Sequence, residues 1–335
     1  MTELKEVTDV PVGVVGLGLM GCSIVTCLAI AGHRVIAVAP IPADVANAGK
    51  RIEDHLSRAF TEGLIGQAPN NYREKVLITE DYSLLKDCQI VIECTLENLE
   101  IKKSVYQKIE TVIDNNAILA SNTSAIPISI LQKQTTFPHR FFGLHWSEPS
   151  HTTRFLEIIC GELSDITKGE YLYGISHHWG KEPTLVRKDI RGFITNRLMY
   201  ALYREAFYLV ENGYATIEDV DRACRNNAGY WMTLAGVFRW MDLTGVPAYH
   251  TVMKDLFPTL SNSTEVPELI DNIVKAGGRG VANAKGFYEY TPEEAKLWEE
   301  TFTEFSYEIR KIALKYPADV VKKKMHDRAK GESLQ

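Results

Sequence analysis

Two side chains suited to proton transfer stand twelve positions apart, each inside an apolar run that reads as a β-strand. They are His145 in Gly143-Leu144-His145-Trp146 and Glu157 in Phe155-Leu156-Glu157-Ile158. A carboxylate buried in such a strand is costly unless it finds a partner. A glutamate set against an imidazole orients the ring and raises its basicity, which is what a general base needs. Taken alone, a histidine on a strand is more often a satisfied core residue.

The second constellation is Gly16-Leu17-Gly18-Leu19-Met20-Gly21, placed between an apolar strand and a helical run near the N-terminus. In that setting the first glycine permits a tight turn, the second lets the backbone approach a pyrophosphate, and the third lets helix and strand pack closely. The helix start then offers unpaired N–H groups to the anion. Gly16, Gly18, Leu19, Met20 and Gly21 are therefore candidate dinucleotide ligands, the alternative being a merely tight strand-to-helix turn. An acid is expected at the end of the following strand to hold the adenosine ribose. The strand instead ends Val38-Ala39-Pro40, with no Arg directly after it for a 2′-phosphate, so the choice between NAD and NADP stays open.

These residues need a scaffold, and the chain spells one out. From Pro11 to about Cys160, short apolar runs alternate with helical patterns: VGVVG, a helix to Ala31, HRVIAVA, and a helix through Ile52 to Phe60. Further strands are predicted at Gln89–Thr95, Asn116–Asn122, Phe141–Trp146 and Arg154–Cys160, with an amphipathic helix from Leu99 to about Ile113. This is the grammar of a wound α/β sheet. After Arg191 helical periodicity takes over, beginning with Asn196–Gly213 and Thr216–Asn226, where Thr216 caps and Asp219 favours the helix dipole. The predicted domains are 1–190, binding the dinucleotide, and 191–335, a helical substrate and dimerisation domain with a C-terminal helical tail.

Composition narrows the function classes. The 335 residues are 45% hydrophobic and 24% charged, which excludes a disordered or fibrous chain. A net charge of −6 without a basic stripe argues against nucleic acid. Val10–Gly32 is uncharged and nearly long enough to span a bilayer, but Gly13, Gly16, Gly18 and Gly21 break it, so no membrane span is expected. Glu3, Glu6 and Asp9 before it have the wrong sign for a secretory signal. Six cysteines without a C-x-x-C pair or a Cys/His cluster read as reduced thiols in a cytoplasmic protein, with no metal site.

The landmarks together resemble the 3-hydroxyacyl-CoA dehydrogenases, in particular the short-chain 3-hydroxybutyryl-CoA dehydrogenase-like members, and their relatives acting on free 3-hydroxy acids. They run through nearly the whole chain: GLGLMG (16–21), ENLEIKK (97–103), SNTS (121–124), GLH (143–145), LEII (156–159), GFITNRL (192–198), Asp242-x-x-Gly245 and KGFYEY (285–290). The resemblance implies an α/β fold, a Rossmann-type doubly wound sheet followed by an all-helical C-terminal domain, with NAD as cofactor and NADP not excluded. It implies that His145 takes the proton of the substrate 3-hydroxyl while hydride passes from C3 to the nicotinamide, with Glu157 orienting the imidazole. Ser124 would hydrogen-bond the reacting oxygen and Asn196 would fix the substrate carbonyl; a strand-end turn and a helix cap are their plainer readings. Glu97, Lys102 and Asn122 match positions near the cofactor.

Three departures bear on substrate and cofactor. The family's His-Phe-Phe-Asn-Pro is here His145-Trp146-Ser147-Glu148-Pro149, an acid where an amide is expected near the nicotinamide end. The basic residue that precedes the family's GFY motif is missing from Gly280-Val281-Ala282-Asn283. Arg239 stands where relatives usually carry an acid, and an arginine pairs bidentately with a carboxylate. Lys50 and Arg51 are candidates for the phosphates of CoA, or part of a solvated helix face. The leading expectation is a 3-hydroxyacyl-CoA dehydrogenase acting as a homodimer. Behind it stand a dehydrogenase of a free, carnitine-like or sugar-acid substrate and a catalytically idle nucleotide-binding relative.

Overall fold

Strand β1 (Val12–Val15) is flanked on both sides by parallel partners, β2 (Val35–Val38) and β4 (Ile90–Glu93), and is buried throughout its length. That is why VGVV carries no alternation: a parallel strand covered on both faces reads as a continuous apolar run. The computed structural model describes residue 8 and residues 10–329. The acidic positions Glu3, Glu6 and Asp9 lie outside the described residues.

The sheet has eight strands in the order β3-β2-β1-β4-β5-β6-β7-β8, with β3 at Val76–Thr79, β5 at Ile118–Ser121, β6 at Phe141–Trp146, β7 at Leu156–Cys160 and β8 at Thr184–Val186. The first six follow the doubly wound dinucleotide-binding order. β7 runs antiparallel to β6, and β8 runs parallel to β7. The crossovers are helical: α1 (Leu19–Ile30), α2 (Pro42–Thr61), α3 (Pro69–Arg73), α4 (Leu99–Glu110), α5 (Ile128–Gln132) and, between β7 and β8, α6 (Ile166–His178). Val15, Val38, Val91, Leu119 and Phe141 share one core cluster with Tyr106 and Ile109 of α4.

The apolar run from Val10 to Gly32 is accounted for by burial. Every residue of α1 from Gly21 to Ala29 is buried, so the helix is apolar all round because it lies inside the protein. No described helix is long and apolar enough to cross a membrane.

Five elements of the first unit were not anticipated: the one-turn helices α3 and α5, the strands β3 and β8, and α6. β3 and β8 are four and three residues long at the two edges of the sheet and only partly buried, so their apolar signal is weak. α6 contains Gly169 and Gly174, which lower helix propensity. A Cβ at Gly169 would stand 3.1 Å from the Cys160 sulfur, so that glycine lets the helix lie close on β7.

The chain divides into two compact units after Thr195, five residues beyond the predicted boundary. The second unit comprises helices from α7, which starts at Thr195 (Thr195–Glu211), through α8 (Ile217–Ala223), α9 (Gly229–Met232), α10 (Val237–Thr244), α11 (Val246–Leu256), α12 (Glu268–Lys275) and α13 (Pro292–Lys315) to α14 (Val320–Ala329). The Thr216 hydroxyl accepts from the Asp219 N–H at 3.1 Å, the cap that the sequence predicts.

The glycine turn tests the packing directly. A Cβ at Gly21 would sit 1.8 Å from the Gly16 carbonyl oxygen, whereas one at Gly66 would meet nothing within 4 Å. Gly21→Ala should therefore lower stability by about 2 kcal/mol, read as a fall in Tm, and Gly66→Ala should leave Tm within error.

Candidate active site

β6 and β7 pair so that His145 and Glu157 are direct cross-strand partners. Side chains opposite each other on one face of an antiparallel pair are within bonding reach, and the His145 Nδ1 lies 2.9 Å from Glu157 Oε2. The imidazole is only 8% exposed, packed edge-on by Phe155 and tilted against Phe193 at centroid distances of 5.4 and 5.6 Å. Phe193 holds φ at 50°, a region costly for an aromatic residue, and its ring is fully buried against the histidine.

The other oxygen of Glu157, Oε1, accepts from the Ile194 N–H at 3.0 Å, the Thr195 N–H at 2.9 Å and the Thr195 hydroxyl at 3.2 Å. The carboxylate therefore also satisfies free donors at the start of α7. Burial alone would push the Glu157 carboxyl up. The hydrogen bond from His145, the backbone bonds from Thr195 and Ile194 and the charge of the imidazole outweigh it and hold the group below the usual carboxylate range. Asn196, the next residue of α7, is half-buried at the first position of the second unit.

A second buried carboxylate organises the neighbouring strand ends. Glu93, the last residue of β4, has no solvent exposure; both of its oxygens accept from Lys102 Nζ at 3.0 Å, and Oε2 also accepts from the Tyr106 hydroxyl at 3.1 Å and the Ser121 hydroxyl at 2.7 Å. Lys102, equally buried, reaches on to Glu97 Oε2 at 3.3 Å. Glu97 Oε1 then accepts from the Thr123 hydroxyl and from the backbone N–H groups of Ser124 at 3.2 Å and Ala125 at 3.1 Å. Burial raises the Glu97 carboxyl, but these bonds and the Lys102 charge bring it below its ordinary value. Asn122 accepts from the Trp146 N–H at 3.0 Å, tying the end of β5 to the end of β6. His145, Ser124, Asn122 and Glu97 thus gather beyond the carboxyl ends of neighbouring strands, where open α/β sheets bind ligands.

Sequence reasoning placed Glu97 and Lys102 near the cofactor but missed Glu93 and Thr123. The signal for Glu93 was present, an acid closing the apolar run Ile90-Val91-Ile92, the same pattern that marked Glu157.

The glycine turn fits a pyrophosphate. Gly16 holds φ at +101°, and a Cβ there would press on the Cys94 backbone at 2.8 Å. Around Gly18 there is open space within 4 Å, and α1 begins with no side-chain cap and no acid in its first turn, so its N–H groups are free for an anion. Ala39 closes β2 without a ribose acid. Arg51 points back to this turn, its guanidinium 3.4 Å from the Leu17 carbonyl, while Lys50 is exposed on α2 and Arg239 is exposed on α10.

Glu148, three residues beyond His145, has an oxygen, Oε2, that is buried without a hydrogen-bond partner among the described residues. Burial pushes its carboxyl up to about 7, opposed by a hydrogen bond from Ser23 and the charge of Lys181. Lys181 is itself buried, donating to the Ser150 carbonyl and to that of Thr153 at 2.7 Å, over the ring of Trp146.

A buried histidine held by a carboxylate, on the same sheet as a glycine turn built for a dinucleotide, defines a nicotinamide-linked oxidoreductase of the doubly wound class. Residues 11–190 match the 3-hydroxyacyl-CoA dehydrogenase NAD binding domain, and residues 192–290 match the 3-hydroxyacyl-CoA dehydrogenase C-terminal domain. The chain belongs to the 3-hydroxyacyl-CoA dehydrogenase family, whose cofactor is NAD. It is 32% identical over 286 residues to 5-formyl-3-hydroxy-2-methylpyridine 4-carboxylate 5-dehydrogenase of Mesorhizobium japonicum, covering 85% of this chain and 92% of that one. It is 31% identical over 297 residues to the human mitochondrial hydroxyacyl-coenzyme A dehydrogenase, covering 85% and 93%. Among solved structures, that of a 5-formyl-3-hydroxy-2-methylpyridine 4-carboxylic acid 5-dehydrogenase, an NAD+ dependent dismutase, superposes with a TM-score of 0.85 at 31% identity over 91% of this chain and 98% of that one. The (S)-3-hydroxybutyryl-CoA dehydrogenase of Ralstonia eutropha gives 0.69 at 28% identity over 84% and 99%.

The raised Glu148 carboxyl has a sign that can be measured. The fold favours its neutral acid, so its contribution is complete below the ordinary value of 4.5, declines as pH rises toward 7 and is constant above. Glu148→Gln, neutral at every pH, should therefore gain on the native protein between pH 4.5 and 7, by up to on the order of 3 kcal/mol, and thermal melts across that window will read it.

Proposed function

We propose that this chain moves a hydride between C3 of a 3-hydroxyacyl-CoA and NAD, with His145 as the base. The observation that carries the reading is the 2.9 Å contact of His145 Nδ1 with Glu157. With Nδ1 donating to that carboxylate, Nε2 is left to take the proton of the 3-hydroxyl, and Glu157 balances the imidazolium that forms. NAD, seated at the glycine turn, supplies the hydride acceptor.

Ser124 hydrogen-bonds the reacting oxygen, its backbone held by Glu97 at 3.2 Å. Asn196, on the first turn of α7, fixes the substrate carbonyl. Lys50 and Arg51 on α2 face the phosphates of CoA. Such a reaction belongs to fatty acid metabolism, and the free thiols suit the reducing cytoplasm. The chain works as a homodimer, because α7 exposes Leu198 and Leu202 at 58% and 46%, apolar surface that a second copy would cover.

A second reading keeps the chemistry and changes the substrate to a free acid. It is favoured by the relative from Mesorhizobium japonicum, named for a pyridine carboxylate, and by Arg239, whose guanidinium suits a carboxylate.

The test is NADH absorbance with acetoacetyl-CoA, run beside free acetoacetate and beside NADPH. Oxidation with the thioester is expected, and His145→Ala should slow it by about 10³-fold with an unchanged circular dichroism spectrum. Oxidation with the free acid alone would transfer the assignment to the second reading. Undiminished turnover in His145→Ala would overturn the assigned base.

A further inference from the structure

Two contacts show which face of α2 looks toward α1. The Arg51 guanidinium stands 3.4 Å from the Leu17 carbonyl just before α1, and His55 Nδ1 lies 3.4 Å from the Thr26 hydroxyl within it. Fully buried Ala48 lies on the same stripe one turn earlier, and one turn before that the stripe reaches Asp44, in the first turn of α2. Residues 44, 48, 51 and 55 keep the four- and three-residue spacing of one helix face, while Lys50, Glu53 and Ser57 on the opposite side are exposed.

The start of α2 adjoins the place where the sheet lacks an acid. β2 ends at Val38, Ala39 follows with 1% exposure, and the chain crosses Pro40-Ile41-Pro42 into the helix. Asp44 returns a carboxylate to that end of the sheet five positions later, its N–H held by the Ile41 carbonyl at 2.9 Å. The side chain is half-buried, and among the described residues its carboxylate makes no hydrogen bond or ion pair. An acid in a first turn favours the helix dipole from any face, so the dipole does not explain why this one lies on the inner stripe. Its charge also reaches the glycine turn. Burial pushes the Cys22 thiol, 3.2 Å from the Leu17 carbonyl, up to about 11; the Arg51 charge opposes that rise, and those of Asp44 and Glu148 add to it.

A carboxylate at this point discriminates between two dinucleotides. The adenosine ribose of NAD offers two hydroxyl donors, and an ionised carboxylate, an acceptor only, takes both. The 2′-phosphate of NADP would set a second anion against it. We propose that Asp44 accepts from the adenosine ribose hydroxyls of NAD in place of the acid missing at Ala39, and that its charge excludes the 2′-phosphate of NADP. The proposal rests on the dinucleotide seat at the glycine turn and is independent of whether the substrate is an acyl-CoA or a free acid.

The experiment is calorimetric titration of the full chain with NAD and with NADP, without substrate, so that binding is read apart from turnover. The native chain is expected to bind NAD at least about 100-fold more tightly than NADP. Asp44→Ala should weaken NAD about tenfold, and Asp44→Asn, which keeps the shape and removes the charge, should tighten NADP, both with an unchanged circular dichroism spectrum. Glu53→Gln, on the opposite face of α2, should leave both affinities as they are. A role confined to the helix start would move the two nucleotides together, so an equal loss for NAD and NADP overturns the proposal. So does an unchanged NAD affinity in Asp44→Ala, or a native chain that binds NADP as tightly as NAD.

Discussion

The site depends on one antiparallel step in an otherwise parallel run of strands. Because β7 returns against β6, Glu157 falls opposite His145, and a single carboxylate meets an imidazole on one side and the start of α7 on the other. Its two oxygens do separate work: Oε2 fixes the histidine ring, and Oε1 accepts the Ile194 and Thr195 N–H groups. Removing that charge from water is unfavourable, and the charge persists because every strong acceptor site on it is filled. The same residue is therefore both the orienting partner of a base and the local anchor of the turn Gly192-Phe193-Ile194, whose buried phenylalanine packs on the base it helps to hold.

Glu93 repeats this logic on β4 of the same sheet. Its carboxylate is saturated by Lys102, Tyr106, Ser121 and Thr95, and through Lys102 it steadies Glu97, which in turn holds the backbone of the loop from Thr123 to Ala125. Two inner acids, Glu93 closing β4 and Glu157 near the start of β7, thus set the positions of the imidazole and of the Ser124 backbone. Both elements are rigid, buried and anchored by more than one bond, which is how a site keeps its geometry between turnovers.

Much of this was legible in the residues. The buried strands announced themselves as short runs without alternation, and the glycine turn was readable because each glycine has a separate reason: a positive φ at Gly16, open space at Gly18 and a carbonyl against Gly21. The pairing of His145 with Glu157 was legible because an acid inside an apolar strand demands a partner. The edges of the sheet were not, since β3 and β8 are short and half in solvent. The network around Glu93 was also missed: one strand carries the acid and a helix nine residues on carries its cation, and only the fold shows that they meet. The 3.4 Å approach of the Arg51 guanidinium to the Leu17 carbonyl was likewise invisible in spacing, because it is set by how α2 lies beside α1.

The central claim is that Glu157 dictates which ring nitrogen of His145 is free to act. Nitrogen NMR of histidine-labelled protein, with the His145 resonances assigned by substitution and titrated to the neutral ring, reads this directly. The account predicts a proton on Nδ1, hydrogen-bonded to the carboxylate, and an unprotonated Nε2. A neutral His145 carrying its proton on Nε2 would contradict it.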